Sequence, residues 1–260
     1  MMLWTLRFVG VALTFAVLAI TPKLHAAEQP IKLTSLEWPP FSGVQLPGLG
    51  ASVAVARAAF GAVGTALETE FYPWQRAVKT GLETSGYAGY FPEYYSEELT
   101  NKCLFSKPAG ESPLGFVERK DAPVVWNSLD DLASLAIGTV NGYVNTDDFD
   151  KRAGDGRLQV EPVVDDITNI RKVANERVRL AVIDRNVFEY LLMTDPSLAD
   201  IRSKVQFNAH PLEIKKLYIC FRKDSTGMAA KRDFDEGLGK IDIQAIMTDA
   251  LRQTNRSERR

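Results

Sequence analysis

The sequence predicts an α/β protein of two lobes joined by a pair of crossing strands, and three observations predict it. Strand-like and helix-like segments alternate along nearly the whole chain. Two short β-type runs end on the same charged trio. Leu114–Asp121 (LGFVERKD) closes on Arg119-Lys120-Asp121, and Leu217–Asp224 (LYICFRKD), about a hundred residues later, closes on Arg222-Lys223-Asp224. A complete α/β segment lies between these runs, and another flanks them. Two links of this kind let a chain leave one lobe, build a second and return, and such a molecule can bend at the links. Two ordinary strands of one sheet would carry the same signal.

Taken in order, Ile31-Lys32-Leu33 opens a strand that stops at Glu37-Trp38-Pro39-Pro40-Phe41, because two prolines cannot continue a ladder. The loop Leu46-Pro47-Gly48-Leu49-Gly50 leads to a helix with Val53, Ala56 and Phe60 on one face. Leu67, Thr69 and Phe71 alternate as a strand, and Pro73 suits the first turn of a helix carrying Trp74, Val78 and Leu82. This β-α-β-α order calls for a parallel sheet. An aromatic window follows, with Tyr87, Tyr90, Phe91, Tyr94 and Tyr95 among Glu93, Glu97 and Glu98. It reads either as a loop packed on the sheet edge or as one wall of a ligand site, since ligands bind beyond the C-terminal ends of strands in open α/β sheets.

Past the first link, Ser128-Leu129-Asp130-Asp131 is a capping box opening a helix. Leu135–Val140 is a strand ended by Asn141-Gly142-Tyr143, and Asp147-Asp148 starts a helix. Leu158 and Val160 give a strand; Ile167, Ile170 and Ala174 line a helix capped by Asp165 or Asp166. Val178–Ile183 is a near-continuous apolar strand, as for one buried on both faces, and it ends in Asp184 before a helix through Val187, Tyr190 and Leu191. Past the second link, Phe234, Leu238 and Ile241 mark one helix, and Ile243, Ile246 and Met247 a shorter one that packs back on the first lobe. From about Gln253 the polar tail is expected to fray.

Length, charge and composition bound the function. The 260 residues suffice for one large or two modest cores. A net charge of -2, with no basic stripe, gives no reason to expect nucleic acid or an anionic membrane. At the N-terminus, Arg7, the apolar run Phe8–Ile20 and the small pair Ala26-Ala27 form the three regions of a secretory signal peptide over residues 1–26. The run is too short to span a bilayer, although a retained anchor is the alternative. No cysteine follows it to carry a lipid. The mature chain is therefore expected in an extracytoplasmic, oxidising compartment, where Cys103 and Cys220 form a disulfide at the hinge or stay as two buried thiols.

Catalytic motifs are missing. Removing the signal removes His25 and leaves His210 alone, too few for a clustered metal site. No G-x-S-x-G, H-E-x-x-H, C-x-x-C or P-loop occurs. No cofactor and no enzyme activity are expected; the alternative is a carboxylate-using, dehydratase-type enzyme with Asp184 and Glu93 as its acid/base pair.

From Ile31 to about Leu251 the chain resembles the family 3 extracellular solute-binding proteins, the amino-acid-type receptors of ATP-binding-cassette importers. The resemblance rests on the order of Trp38-Pro39-Pro40-Phe41, Gly86-Tyr87, Phe105-Ser106-Lys107-Pro108, Ser128–Leu132, Ile137-Gly138 with Gly142, and Ala181–Asp184. It implies an α/β, two-lobe periplasmic-binding-protein fold with a two-strand hinge. It also implies closure on a small polar solute, a periplasmic location, an inner-membrane permease as partner, and a monomer. Lobe 1 then comprises 27–112 and 218–260, and lobe 2 comprises 113–217. By the same resemblance Trp38 stacks on ligand and Asp184 meets a ligand amino group. Tyr143, Val144 and Asn145 offer donors to a carboxylate at a helix N-terminus. The family's Thr-x-x-Arg, which clamps that carboxylate, is replaced by Ser96-Glu97-Glu98-Leu99. Arg76, just after Trp74, is either its stand-in or a solvated surface arginine; with Glu37, Glu93 and Asp184 facing the cleft, a cationic or neutral solute is the other expectation. The predicted site is Trp38, Trp74, Arg76, Tyr90, Glu93, Tyr94, Tyr143, Asn145 and Asp184. A sensing module reporting to a membrane kinase is a further reading.

Overall fold

The structure, a computed structural model, describes Met1 and residues 29–257. The predicted signal peptide and its cleavage site lie outside the described residues. In chain order the elements are β1 (Ile31–Ser35), α1 (Ala51–Gly61), β2 (Leu67–Phe71), α2 (Trp74–Glu83), β3 (Gly89–Tyr94), β4 (Leu104–Phe105) and β5 (Gly110–Arg119). Next come β6 (Ala136–Val140), α3 (Asp147–Gly154), β7 (Gln159–Val163), α4 (Asp166–Ala174), β8 (Leu180–Asp184) and α5 (Arg185–Thr194). β9 (Val205–Phe207), β10 (Glu213–Phe221), α6 (Ser225–Leu238) and α7 (Ile243–Ser257) complete the chain.

One mixed sheet runs β2-β1-β3-β10-β5-β8-β6-β7, with β4 beside β10 and β9 beside β5. At one end β1 pairs in parallel with β2 and β3, and at the other β6 pairs in parallel with β7 and β8. These are two βαβ half-folds. They meet through the antiparallel strands β5 and β10, whose mutual register runs from Glu213 opposite Leu114 to Leu217 opposite Gly110. Beyond that stretch each strand serves one half: β5 pairs with β8 from Leu114 to Val117, and β10 pairs with β3 from Leu217 to Phe221. The straps are thus Gly110–Leu114 and Glu213–Leu217, slightly earlier than the two Arg-Lys-Asp runs. This is the two-lobe binding-protein fold with a two-strand hinge.

Burial explains the local choices. The run LAVID of β8 is buried at every position, as a central strand covered on both faces must be. In α1, Val53, Val55, Ala56, Ala59 and Phe60 are all buried, because the helix lies between the sheet and helices α6 and α7. α6 lies so close that a Cβ on Gly237 would stand 1.9 Å from the Ala59 carbonyl oxygen. Only glycine admits that approach.

Three sequence expectations are corrected, and the disulfide alternative is met at a shifted place. The aromatic window is largely strand: Gly89–Tyr94 is fully buried as β3, in the middle of the first half. The Ser128 capping box is present but opens one turn of 3-10 helix, Leu129–Leu132. The last helix is not short and does not fray at Gln253; it runs to Ser257, with Thr254 fully buried. Cys103 and Cys220 are disulfide-bonded, with Cα atoms 5.5 Å apart. That bond sits beside β3 and β4 in the first half rather than across the two straps.

Candidate functional site

The loops at the C-terminal ends of β1, β3 and β6 converge where the halves face each other, the general ligand position for such sheets. Trp38 follows β1, Glu93 and Tyr94 end β3, Trp74 opens α2, and Tyr143 and Val144 follow β6. Together with Leu36, Pro92 and Leu217 they line a cavity of about 30 Å³, room for about one water. The rings stand on edge: Trp38 and Tyr94 are 5.9 Å apart at 79°, and Trp74 and Tyr143 are 5.8 Å apart at 86°. Edge-to-face packing sets the edge of one ring against the face of the other, so the four aromatic side chains brace one another around the space.

The halves are shut over this cavity by hydrogen bonds. Trp74 Nε1 donates to the Gly142 carbonyl at 2.8 Å, and Tyr94 Oη donates to Asp184 Oδ2 at 2.7 Å. Trp38 and Tyr143 line a second, wider groove of about 430 Å³ as well, whose walls include Glu37, Asp165, Asp166 and Asp195. These two rings therefore stand between an acidic outer groove and the inner aromatic cavity.

The structure brings Trp38, Trp74, Glu93, Tyr94 and Tyr143 of the predicted set to the cavity wall and the other four elsewhere. Tyr90 is fully buried behind it, its ring 5.4 Å from Trp74 and its hydroxyl donating to Glu93 Oε2 at 3.0 Å. Arg76 lies on the exposed face of α2 with its guanidinium 4.7 Å over the Tyr72 ring. Asn145 turns its backbone N and Nδ2 to Asp150, at 2.8 and 2.7 Å. Asp184 is 2 % exposed and accepts from Tyr94 Oη, Ser112 Oγ and the backbone N of Asn186 and Val187, so it caps α5. Leu36, Pro92 and Leu217 were missed; Leu217, as the first residue of the second link, was the one with a signal.

The electrostatics are one-sided. Burial pushes Glu93 up to about 8, against the hydrogen bonds from Tyr90 and the Tyr94 backbone that favour its ionised form. Burial, then the neighbouring Asp184 and Asp165, raises Asp166 to about 7. Burial also raises Asp184 to about 6, opposed by Tyr94 and Ser112. Their ordinary values are 4.5, 3.8 and 3.8. Each acid holds its proton more tightly folded than unfolded, so its contribution is complete below about pH 4 and is lost as pH rises to about 8. The melting temperature is accordingly expected to be higher at pH 5.5 than at pH 8.5, with Glu93→Gln flattening the profile. A wild-type profile that rises toward alkaline pH would contradict these burials.

Fold and cavity together define the class: a two-lobe binding-protein fold closed over a small inter-lobe space. No family model matches the sequence, and no curated protein matches it. Solved structures match at fold level. One is a histidine kinase sensor domain similar to periplasmic binding proteins, at TM-score 0.71 and 16% identity, covering 88% of this chain and 96% of that one. Another is an ancestral arginine-binding protein bound to arginine, at TM-score 0.68 and 16% identity, covering 88% and 99%. A third is the GluR0 ligand-binding core from Nostoc punctiforme with L-glutamate, at TM-score 0.66 and 15% identity, covering 86% and 99%. The fold that the sequence resemblance implies is thus shared by solved structures, two of which hold arginine or L-glutamate. Among the described residues no cluster of His, Cys, Asp or Glu is arranged for a metal, and no helix is long and apolar enough to cross a membrane.

Proposed function

We propose that this chain is a monomeric extracytoplasmic solute receptor that shuts its lobes on a small polar molecule and hands it to an inner-membrane ABC importer. Its lobes are 27–112 with 218–260, and 113–217. The ligand contacts are Trp38, Trp74, Glu93, Tyr94 and Tyr143, with Tyr90 and Asp184 holding Glu93 and Tyr94 in place. The observation that carries this reading is the cavity walled by both halves and bridged by Trp74–Gly142 and Tyr94–Asp184. Such contacts can form only when the lobes close, so solute binding and closure are one equilibrium. Importer receptors for arginine share the fold, which supports delivery to a permease. A binder rather than a hydro-lyase is favoured because Asp184 already accepts four protein donors and stands off the cavity wall.

A second reading, a sensing module, is favoured by the likeness to a kinase sensor domain. Native mass spectrometry of the purified protein is expected to find a carried-over small molecule. Trp38→Ala should lose it, and the variant's scattering radius should exceed that of the closed form. A wild-type chain that stays closed and empty, and ignores every solute offered, would sink the receptor and sensor readings together.

A further inference from the structure

We propose that the inter-lobe cavity takes a small methylated ammonium cation without a carboxylate, held among its aromatic side chains beside Glu93. The inference rests on the receptor reading and names its ligand class.

The donors an anion would need are already engaged. Asn145 gives both its backbone N and its Nδ2 to Asp150, so the start of α3 is occupied by one of the chain's own carboxylates. Among the described residues no arginine or lysine lines the cavity. Lys215 stands near, 5.6 Å from the Tyr94 ring centroid, but pairs with Glu213 at 3.6 Å and with the Tyr95 carbonyl at 3.4 Å. A carboxylate entering here would be desolvated without a partner.

A cation meets the reverse situation. Trp38, Trp74, Tyr94 and Tyr143 surround the space, and ring faces attract cations by their quadrupole. Among the described residues Glu93, 5% exposed, is the one acid on the wall, and a cation beside it favours its ionised form over the proton that burial favours in the empty cavity. Its oxygens already accept from Tyr90 and the Tyr94 backbone, which leaves few acceptors for the three N–H groups of a primary ammonium. A methylated ammonium needs apolar faces instead, and the wall is made of them. Outside, Glu37, Asp165, Asp166 and Asp195 make the approach acidic, which draws cations and repels anions. The lobes must stand further apart than here to admit such a group, and the two straps allow that movement.

Isothermal titration of the disulfide-intact mature chain separates the alternatives. The probes are choline, tetramethylammonium, the uncharged isostere 3,3-dimethyl-1-butanol, glycine betaine and L-arginine. Choline and tetramethylammonium are expected to bind, with the isostere and glycine betaine each weaker by about tenfold or more. Glu93→Gln should weaken choline about tenfold, and Tyr143→Leu serves where that variant does not fold. Equal binding of the isostere, tighter binding of glycine betaine or arginine, or no binding of either choline or tetramethylammonium overturns the inference. If arginine or glycine betaine closes the lobes and the cations do not, the receptor reading survives alone. If none of the probes binds and no molecule co-purifies, both fail.

Discussion

Joint replacement of Cys103 and Cys220 by alanine is expected to lower the free energy of unfolding by about 4–5 kcal/mol. The bond spans a sequence separation of 117 residues. Cutting it returns that loop's closure entropy to the unfolded chain, and the logarithmic law gives a value of this order for loops of about a hundred residues. Both cysteines are essentially inaccessible and pack with Tyr90 against Trp74 and Phe105. The two alanines also leave a small void there, adding to the loss. Denaturant titration of the oxidised wild type and the double variant measures it. Coincident midpoints would show that the bond contributes nothing to stability.

Asp184→Ala is expected to cost about 3–5 kcal/mol, summing a lost helix cap and buried donors left without an acceptor. The donors are the Tyr94 and Ser112 hydroxyls and the backbone N–H groups of Asn186 and Val187. Two of these open α5, one ties β5, and one crosses from the other lobe. The variant should therefore lose stability and also hold its lobes together less firmly. Asp184→Asn keeps an acceptor and removes the charge, so it should cost less. Its penalty should shrink further as pH rises above about 6, where the wild-type carboxyl ionises in a buried setting. A loss below about 1 kcal/mol for the alanine variant, read from chemical unfolding, would mean water replaces the carboxylate without penalty.

The alternation of elements was legible because apolar periodicity reports burial directly, and the two links were legible because a continuous α/β segment separates them. β3 was less so: its run GYFPEY carries a proline and no alternation, since both faces are covered and the strand has no solvent side to reveal. α7 announced itself faintly through Ile243, Met247, Ala250 and Thr254 at helical spacing, masked by the polar residues between them. For the cavity, large aromatics near strand ends were a sound guide, because such rings have few other places to go. Polar residues were not. Asn145, Arg76 and Asp184 bear the right chemistry, yet each is claimed by a partner inside the chain: Asp150, Tyr72, and Tyr94 with Ser112. Arg76 and Tyr72 lie four positions apart, a spacing visible in sequence. The Tyr94–Asp184 pair spans 90 positions and becomes visible only in the fold.

The neighbouring register of β5 and β10 restricts how the molecule can move. The rungs between them oppose sliding of one strap along the other, so on the receptor reading the lobes would move by flexing of the pair, as one page turns on its spine, with Ser112 and Lys215 opposite each other in that register.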